Sequence, residues 1–514
     1  MIGSNTPPML FPLLALVVGV GAGMGGAGFW LGGACVIIAA GIWLVLQFAG
    51  RDPLRGFRLR KLHYIWIFLI FLGLGIIDTD FNRPFRMPYD NFDMLKCGQG
   101  RITKISHGSW GDKYEVDVWR LIGKDGKHYN TPNFKAIIQG DVFTKDVDDV
   151  IVFPANFQRI VDPPDSTLPG YAKRLERQGI YYRLRTSDKN LHYTHTSPTF
   201  TGYCYKCRDR LEAFIENTHL AKETQSFLIT VLLGDRAYLS EETRSLFADA
   251  GVSHILALSG MHIMIIAGIF MTLLFPLNFR GWYRQRRVIA TIMIFLYAFI
   301  TGCAPSTIRA CIMAACITVA MLYERKNSAM NALLLATFII LLFTPLAIFD
   351  VGLQLSFVCV ASLILFMKPL NPVDQHKHNR TYKLMAAILA PIIATGASWV
   401  LTGYYFGEIS VMFLLGNIVI LPLLPFYMVA ALLYLLLHAV GADSALLAWG
   451  LDTLYSGGIS ALEWMSCGGK GSLRLALPLW GVWGWFGAIA AGWLLSLRLR
   501  RRLPYCKPGG RQRC

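Results

Sequence analysis

The chain has 514 residues, 54% of them hydrophobic and only 16% charged, with a mean hydropathy of +0.44. A soluble domain carries about 25% charged residues, so a soluble fold is excluded as the main architecture and a multi-pass membrane protein takes its place. The formal charge of +17 marks cytoplasmic loops first; a polyanionic ligand is the second source it allows.

Two adjacent apolar runs, 10–30 and 31–48, have no secretory cleavage site between them and read as membrane anchors. Gly19, Gly23, Gly26, Gly28, Gly32 and Gly33 allow close helix–helix approach there. Arg51, Arg55, Arg58, Arg60 and Lys61 follow as a basic loop that stays in the cytoplasm. A third run, 62–77, then crosses outward, closing an N-terminal membrane unit at residues 1–78.

Residues 79–203 read as an extracytoplasmic soluble domain. Apolar and polar residues alternate over 100–106 and 114–120, and Lys124-Asp125-Gly126-Lys127 supplies a tight turn after the second run. Further extended runs at 134–138, 150–153 and 181–185 give five short strands, the pattern of a small OB-like barrel, with a short helix at 168–178 against it. Aromatic Trp110, Tyr114, Trp119, Tyr129 and Phe134 are interleaved with basic Arg101, Lys104, Lys113, Arg120, Lys127 and Lys135. That mixture suits single-stranded nucleic acid, which stacks its bases and pairs its phosphates; core packing would use many of the same aromatics.

Residues 204–250 form an amphipathic segment, with apolar residues from Leu211 to Leu228 at helical spacing, suited to an interfacial helix or to one lying against the bundle. From 251 to 497 the apolar runs are 252–278, 288–303, 305–323, 329–346, 350–367, 384–404, 409–421, 423–438 and 478–497, so the whole chain has about 12 membrane segments. Starting outside, this order puts Arg280 to Arg287, Glu324 to Lys326, Lys368 to Lys383 and the basic tail 498–514 in the cytoplasm. The run 409–421 is short enough to be a half-helix or a re-entrant segment. The fold class is therefore mainly α and polytopic, with one small β domain.

Within these runs the polar residues carry the functional signal. Arg309 is placed inside an apolar run, where an arginine costs roughly 2.5–3.5 kcal/mol on insertion scales and must face protein or water. A buried ion pair with Asp350 or Glu408 would explain it; so would a path for phosphates, because the planar guanidinium donates two parallel hydrogen bonds. Asp350 and Gln354 share a helix face, and Asn417 lies in another run. The run from Asp235 and Arg236 through His254, Ser259, Gly260 and His262 sets charge, histidines and a helix break against apolar sequence. Such groups are tolerated at membrane depth where they line a cavity. Ser259 with His262 also allows a hydrolase, although a histidine three residues on is not by itself a base in reach.

Two motifs carry less. Cys204 and Cys207 form a lone C-x-x-C with no further ligands in suitable spacing, so a disulfide is expected there, one that could involve Cys97, rather than a metal. The other cysteines fall mostly in apolar runs as small hydrophobes. Gly468-Gly469-Lys470-Gly471-Ser472 imitates a phosphate loop but lacks its spacing. No nucleotide-binding motif or cofactor site is read.

Four stretches together resemble the ComEC competence family: Leu233-Gly234-Asp235-Arg236 with 250–262, 307–313, 350–357, and Gly416-Asn417 through Pro422. Residues 162–170 and 178–180 are similar to the linker after that family's OB domain. The resemblance implies a bacterial inner-membrane channel that imports single-stranded DNA during natural transformation, with residues 79–250 outside and the C-terminus inside. It further implies an extracytoplasmic DNA receptor and a cytoplasmic helicase or motor as partners. Many members also carry a metallo-β-lactamase-like domain with an H-x-H-x-D-H motif, which this sequence lacks, so a separate nuclease is expected and this chain is not expected to be an enzyme. Asp235, Arg236, His254, Ser259, Gly260 and His262 would shape the entrance; Arg309, Asp350, Gln354 and Asn417 would line the path. Arg101, Lys104, Lys113, Trp119 and Arg120 would receive the strand. An intramembrane serine protease and an ion-coupled solute carrier stand as alternatives.

Overall fold

A computed structural model describes residues 8–487, apart from 50–52, 83–93, 107–111, 141–145, 162–171, 173–174, 177–178, 304, 324–328, 368–379, 411, 467–471, 475–477, 479, 483 and 486. The expected helix at 168–178 and the Gly468–Lys470 imitation lie largely outside the described residues.

Period-two alternation builds the β domain. On β2 (Asp112–Gly123), Tyr114, Val116 and Val118 point inward; Phe134, Ala136 and Ile138 do so on β3 (His128–Gly140). Ile102 on β1 (Leu95–Ser106), Ile151 and Phe153 on β4 (Val150–Pro154), and Tyr182 and Leu184 on β6 (Ile180–Arg185) complete one core. Gly126 takes φ +75° in the β2–β3 turn, where the Lys127 N–H donates to Asp125 Oδ1 at 3.1 Å. The short strands β5 (Gln158–Arg159) and β7 (His192–Thr194) had no legible pattern. Sheet order is β5-β6-β3-β2-β1-β4-β7, with β3 and β6 parallel. The sequence suggested five strands in a barrel; the sheet has seven, with β5 and β7 at its edges and no pairing between those two among the described residues.

At the N-terminus α1 (Leu10–Met24) and α2 (Phe29–Ala49) pack on α3 (Pro53–Phe81). The expected close approach holds for half of the glycines named: a Cβ on Gly19 would strike the Leu72 carbonyl oxygen, and Gly23 and Gly32 are similarly close to α3, whereas Gly26, Gly28 and Gly33 face open space; Gly75 on α3 meets the Leu16 carbonyl oxygen in return. The remaining helices are α4 (Phe200–Glu216), α5 (Lys222–Leu233), α6 (Glu241–Asp249), α7 (Gly260–Leu273), α8 (Tyr283–Ile300), α9 (Pro305–Leu322), α10 (Ala329–Phe343), α11 (Val351–Met367), α12 (Arg380–Phe406), α13 (Phe413–Ala439) and α14 (Ala445–Ser466). Strands β8 (Glu408–Ser410) and β9 (Ser472–Arg474) pair separately. Among the described residues three helices are long and apolar enough to cross a membrane, at Tyr64–Phe81, Ile388–Phe406 and Phe413–Ala439, and six shorter apolar helices accompany them. The protein is thus mostly helical with one small β domain.

Two readings change. The stretch 208–233 is two helices rather than one, and of the two settings expected its second half takes the one against the bundle. Asn217 and Thr218 turn back on the chain, bonding the carbonyls of Ala213 and Ile215 at 2.9 and 2.7 Å, and so end α4. The following α5 is buried from Phe227 to Leu233. The runs 409–421 and 423–438 are likewise one helix, α13, continuous through Pro422 and Pro425. Leu424, Tyr427 and Met428 bury this turn in the core shared with α5, α7 and α14, the packed setting in which a membrane helix tolerates proline.

Candidate functional site in the helical half

The break expected at Ser259-Gly260 is present. A 3₁₀ turn, Ser253–Leu256, gives way to extended backbone at Ala257 and Ser259 (φ −107°, ψ 168°), and α7 starts at Gly260. His262 is fully buried. Its Nδ1 accepts the Ser259 backbone N–H at 3.2 Å and lies 2.8 Å from Ser259 Oγ. The histidine therefore does reach the hydroxyl, as part of a cap on the first turn of α7. An Nδ1 that accepts puts the ring proton on Nε2, and Nε2 is buried without a partner.

Helix α9 is fastened to this break. Ser306 Oγ donates to the Leu258 carbonyl at 2.6 Å, and Gly260 abuts Ala310. On the same helix Thr307 is fully buried with its Oγ1 unpartnered. Arg309 is 6% exposed, and its Nε and Nη1 have no hydrogen-bond partner. Asp350 is the carboxylate whose charge reaches it, yet the two form no ion pair among the described residues. Asp350 Oδ1 is engaged elsewhere, accepting the Leu353 N–H at 2.8 Å at the start of α11. Gln354 is also engaged: its Nε2 donates to the Ile348 carbonyl at 2.9 Å and its Oε1 accepts from Tyr405 at 2.9 Å. The Glu408 side chain lies outside the described residues.

Asn417 sits apart from that set. Its Nδ2 donates to the Phe413 carbonyl at 2.6 Å, and it is buried on the α13 turn where Gly416 meets Ala250. His254 is exposed. Arg236 Nε donates to the Leu256 carbonyl at 2.8 Å and so fixes the turn before the break.

Asp235 belongs to a network that sequence reasoning missed. Arg208 on α4 donates to Asp235 Oδ2 and, at 2.8 Å, to Glu212 Oε1. Tyr238 bonds Glu212 Oε2 at 3.4 Å, and the Ala237 N–H bonds Asp235 Oδ1 at 2.9 Å. Burial works against the Arg208 charge, but Asp235 and Glu212 outweigh it and hold its pKa above the ordinary arginine value. Burial pushes the Glu212 carboxyl up, with the Arg208 hydrogen bond opposing. The i, i+4 spacing of Arg208 and Glu212 was the one local signal available.

The β-domain surface differs from its expected form. Tyr114 and Phe134 are core residues, 0% and 2% exposed, so neither offers a ring for stacking. Trp110 lies outside the described residues, as does the Tyr129 side chain. Arg101, Lys104 and Arg120 are exposed, with Lys113 and Trp119 half-buried. Lys104 pairs with Glu115 at 3.7 Å, and Arg101 stands opposite Asp117 across β1 and β2. Carboxylates thus interrupt the cations. Burial raises Asp117 above the usual carboxylate range, with Lys135 and Arg101 opposing. The expected disulfide is absent: Cys204 is buried, Cys207 exposed, and both are free thiols, as is Cys97. Three residues apart on α4, they are neighbours on the helix but remain unbonded.

These features define a multi-pass membrane protein with polar side chains set inside apolar helices. The chain belongs to the Competence protein family, whose model matches residues 231–502, a span holding every site residue from Asp235 to Asn417. It is 27% identical over 270 residues to ComE operon protein 3 of Bacillus subtilis, covering 52% of this chain and 33% of that protein. It is 25% identical over 272 residues to Recombination protein 2 of Haemophilus influenzae, covering 50% and 33%. A third relative, Uncharacterized protein YcaI of Escherichia coli, is 27% identical over 259 residues, covering 46% and 34%. The matches span about a third of each relative's length. No solved structure matches the chain.

Proposed function

We propose that the chain is a channel of the bacterial inner membrane that passes single-stranded DNA inward during natural transformation. Family membership supports a role in competence DNA uptake. The observation that carries the finer reading is Arg309, a buried guanidinium on an apolar helix with two nitrogens left unpartnered. A phosphate passing α9 supplies the two acceptors its fork lacks, and gains a cation where hydrocarbon would otherwise face it. Thr307 and His262 hold further buried hydrogen-bonding groups without partners. Asp235 and Arg236 brace the mouth, and Ser259 and Gly260 open the helix there. Asp350, Gln354 and Asn417 position the surrounding backbone.

The exposed Arg101, Lys104 and Arg120 of the β domain, with Lys113 and Trp119, meet the strand first, outside the membrane. A DNA receptor delivers it, a separate nuclease degrades its complement, and a cytoplasmic helicase or motor draws it in. Deletion of the gene should abolish uptake of labelled DNA, and restoration should return it. Restoration with Arg309→Ala, at normal protein level, should return about a tenth of it or less; full uptake by that variant would end the reading.

The 2.8 Å contact between Ser259 Oγ and His262 favours a second reading, an intramembrane serine hydrolase. Labelling of Ser259 by a serine-reactive probe would support it, and the channel reading expects none.

A further inference from the structure

From the link between the β domain and α4 we infer that Asp148 is a positioning residue, which locks the domain in one orientation against the helical half. In that orientation the strand-receiving face is held in register with the broken helix. The lock stands by itself; its service to a DNA strand rests on the channel reading. Two units joined by a short link ordinarily move against one another. Here residues 195–199, between β7 and α4, are tied down one after another. His195 Nδ1 lies 2.8 Å from Asp149 Oδ1. Thr196 Oγ1 donates to the Asp148 carbonyl at 2.5 Å. Thr199 gives Asp148 Oδ2 both its backbone N–H, at 2.8 Å, and its hydroxyl, at 2.7 Å.

Asp148 and Asp149 belong to the β domain, where both are buried. The Asp148 N–H donates to the Ile102 carbonyl at 2.9 Å, and the Ile102 N–H to the Asp149 carbonyl at 3.0 Å, so this turn is bonded to β1. Asp148 has φ +77°, in the left-handed region that aspartate and asparagine enter more readily than other residues with a side chain. That turn delivers its carboxylate to the first turn of α4, where N–H groups lack partners and negative charge is favoured. Room for it depends on Gly202, since a Cβ there would strike Asp148 Oδ2. Lys206, on the next turns of α4, adds a pair with Asp146 at 3.3 Å.

Along its length α4 is fastened to the helical half. Phe200 meets Phe299 of α8 edge-on, with ring centroids 5.0 Å apart. Arg208 holds Asp235, and the adjacent Arg236 holds the Leu256 carbonyl before the break at Ser259. One continuous helix therefore connects the turn bonded to Ile102, the neighbour of Arg101, with the loop that fixes the broken helix. The sheet surface also comes close to α4. Burial raises the Tyr205 hydroxyl above its ordinary value, and Glu115 on β2 is near enough to add to it. Glu115 is the partner of Lys104, so this part of the strand-receiving face lies beside α4.

The test attaches a donor and an acceptor dye through non-canonical amino acids at the exposed positions Lys124 and Glu242 of the full-length chain in detergent. Single-molecule energy transfer then reads their separation, and one narrow distribution is expected. Asp148→Gly keeps the left-handed backbone but removes the acceptor, and Gly202→Ala displaces the same carboxylate from the other side; both should broaden the distribution. Asp148→Asn keeps an oxygen for Thr199 and should leave it narrow. A broad distribution in the native chain, or a narrow one in all three variants, would overturn the lock. Should Asp148→Gly fail to accumulate, Gly202→Ala carries the test. In cells the two broadening variants should import labelled DNA roughly 5- to 30-fold less well, the factor by which losing one capping side chain moves an equilibrium. Crosslinking of single-stranded DNA to the β domain should stay at its native level, and its loss would overturn the positioning role by showing damage to the domain itself. Native import with a broadened distribution would also overturn that role and leave the channel reading intact. The channel reading fails separately, through full uptake by Arg309→Ala, a result that leaves the dye separation unmoved.

Discussion

Arg208 and Arg309 are both largely withdrawn from solvent, and their surroundings differ in kind. Arg208 lies against two carboxylates, Asp235 and Glu212, with Tyr238 closing the set. Arg309 has a carboxylate within reach of its charge but not in contact, and two of its nitrogens bond to nothing. A buried cation whose partners are all supplied holds structure together. One left unpartnered weakens the fold, and its retention is understood if a passing anion completes it. The contrast separates what braces this protein from what its substrate uses.

The largest effect should follow from breaking the braced arginine. Arg208→Ala leaves Asp235 and Glu212 buried together, and loss of one partner of such a set costs about 3–5 kcal/mol. A clear fall in melting temperature in detergent is expected; an unchanged melt would mean the network holds nothing. At the other arginine, Arg309→Ala should lower transformation roughly 10- to 150-fold, the equivalent of one charged hydrogen bond of about 1.5–3 kcal/mol. Its melting temperature should stay level or rise. A parallel fall in stability would erase the distinction between the two sites.

The third effect is smaller and depends on pH. The carboxyl of Glu212 titrates above its ordinary value near 4.5 in the folded protein, because burial disfavours its charge. Stability from this shift is complete below the ordinary value and is lost as pH rises through the raised one. Melting temperature should therefore decline across that window, and Glu212→Gln should flatten the slope. A slope that persists in the glutamine variant would assign it elsewhere. The smallest effect is expected at the β-domain surface. Lys104 is half-exposed and paired with Glu115, so Lys104→Ala should change stability by no more than about 1 kcal/mol. It should reduce the salt dependence of single-strand binding by about one phosphate contact. A steep loss of binding would show a more concentrated site than the interleaved charges suggest.

Much of this was legible in the residues, and the failures have causes. Alternation placed β1 to β4 and β6, since a sheet with one buried face writes period two into its strands. The helix break was legible because Ser259-Gly260 interrupts an otherwise apolar run. The continuity of α13 was hidden by Pro422 and Pro425, which end helices in water but not where neighbours pack the turn. Tyr114 and Phe134 looked like stacking rings because an aromatic beside a lysine in sequence points to the opposite face of a strand, a matter of register rather than composition. The partnership of Arg208 and Asp235 spans 27 residues, beyond any local pattern. Cys204 and Cys207 matched a familiar spacing, yet both are free thiols within one continuous helix, a pairing state that spacing alone does not decide.

The central claim is that a DNA strand moves past Arg309. A photo-reactive residue at Met313, one turn along α9, tests it when illuminated in cells caught during uptake of labelled DNA. A covalent adduct that forms only during uptake and disappears with Arg309→Ala is predicted. Adducts from the β-domain surface with none at Met313, in cells that import DNA normally, would contradict it.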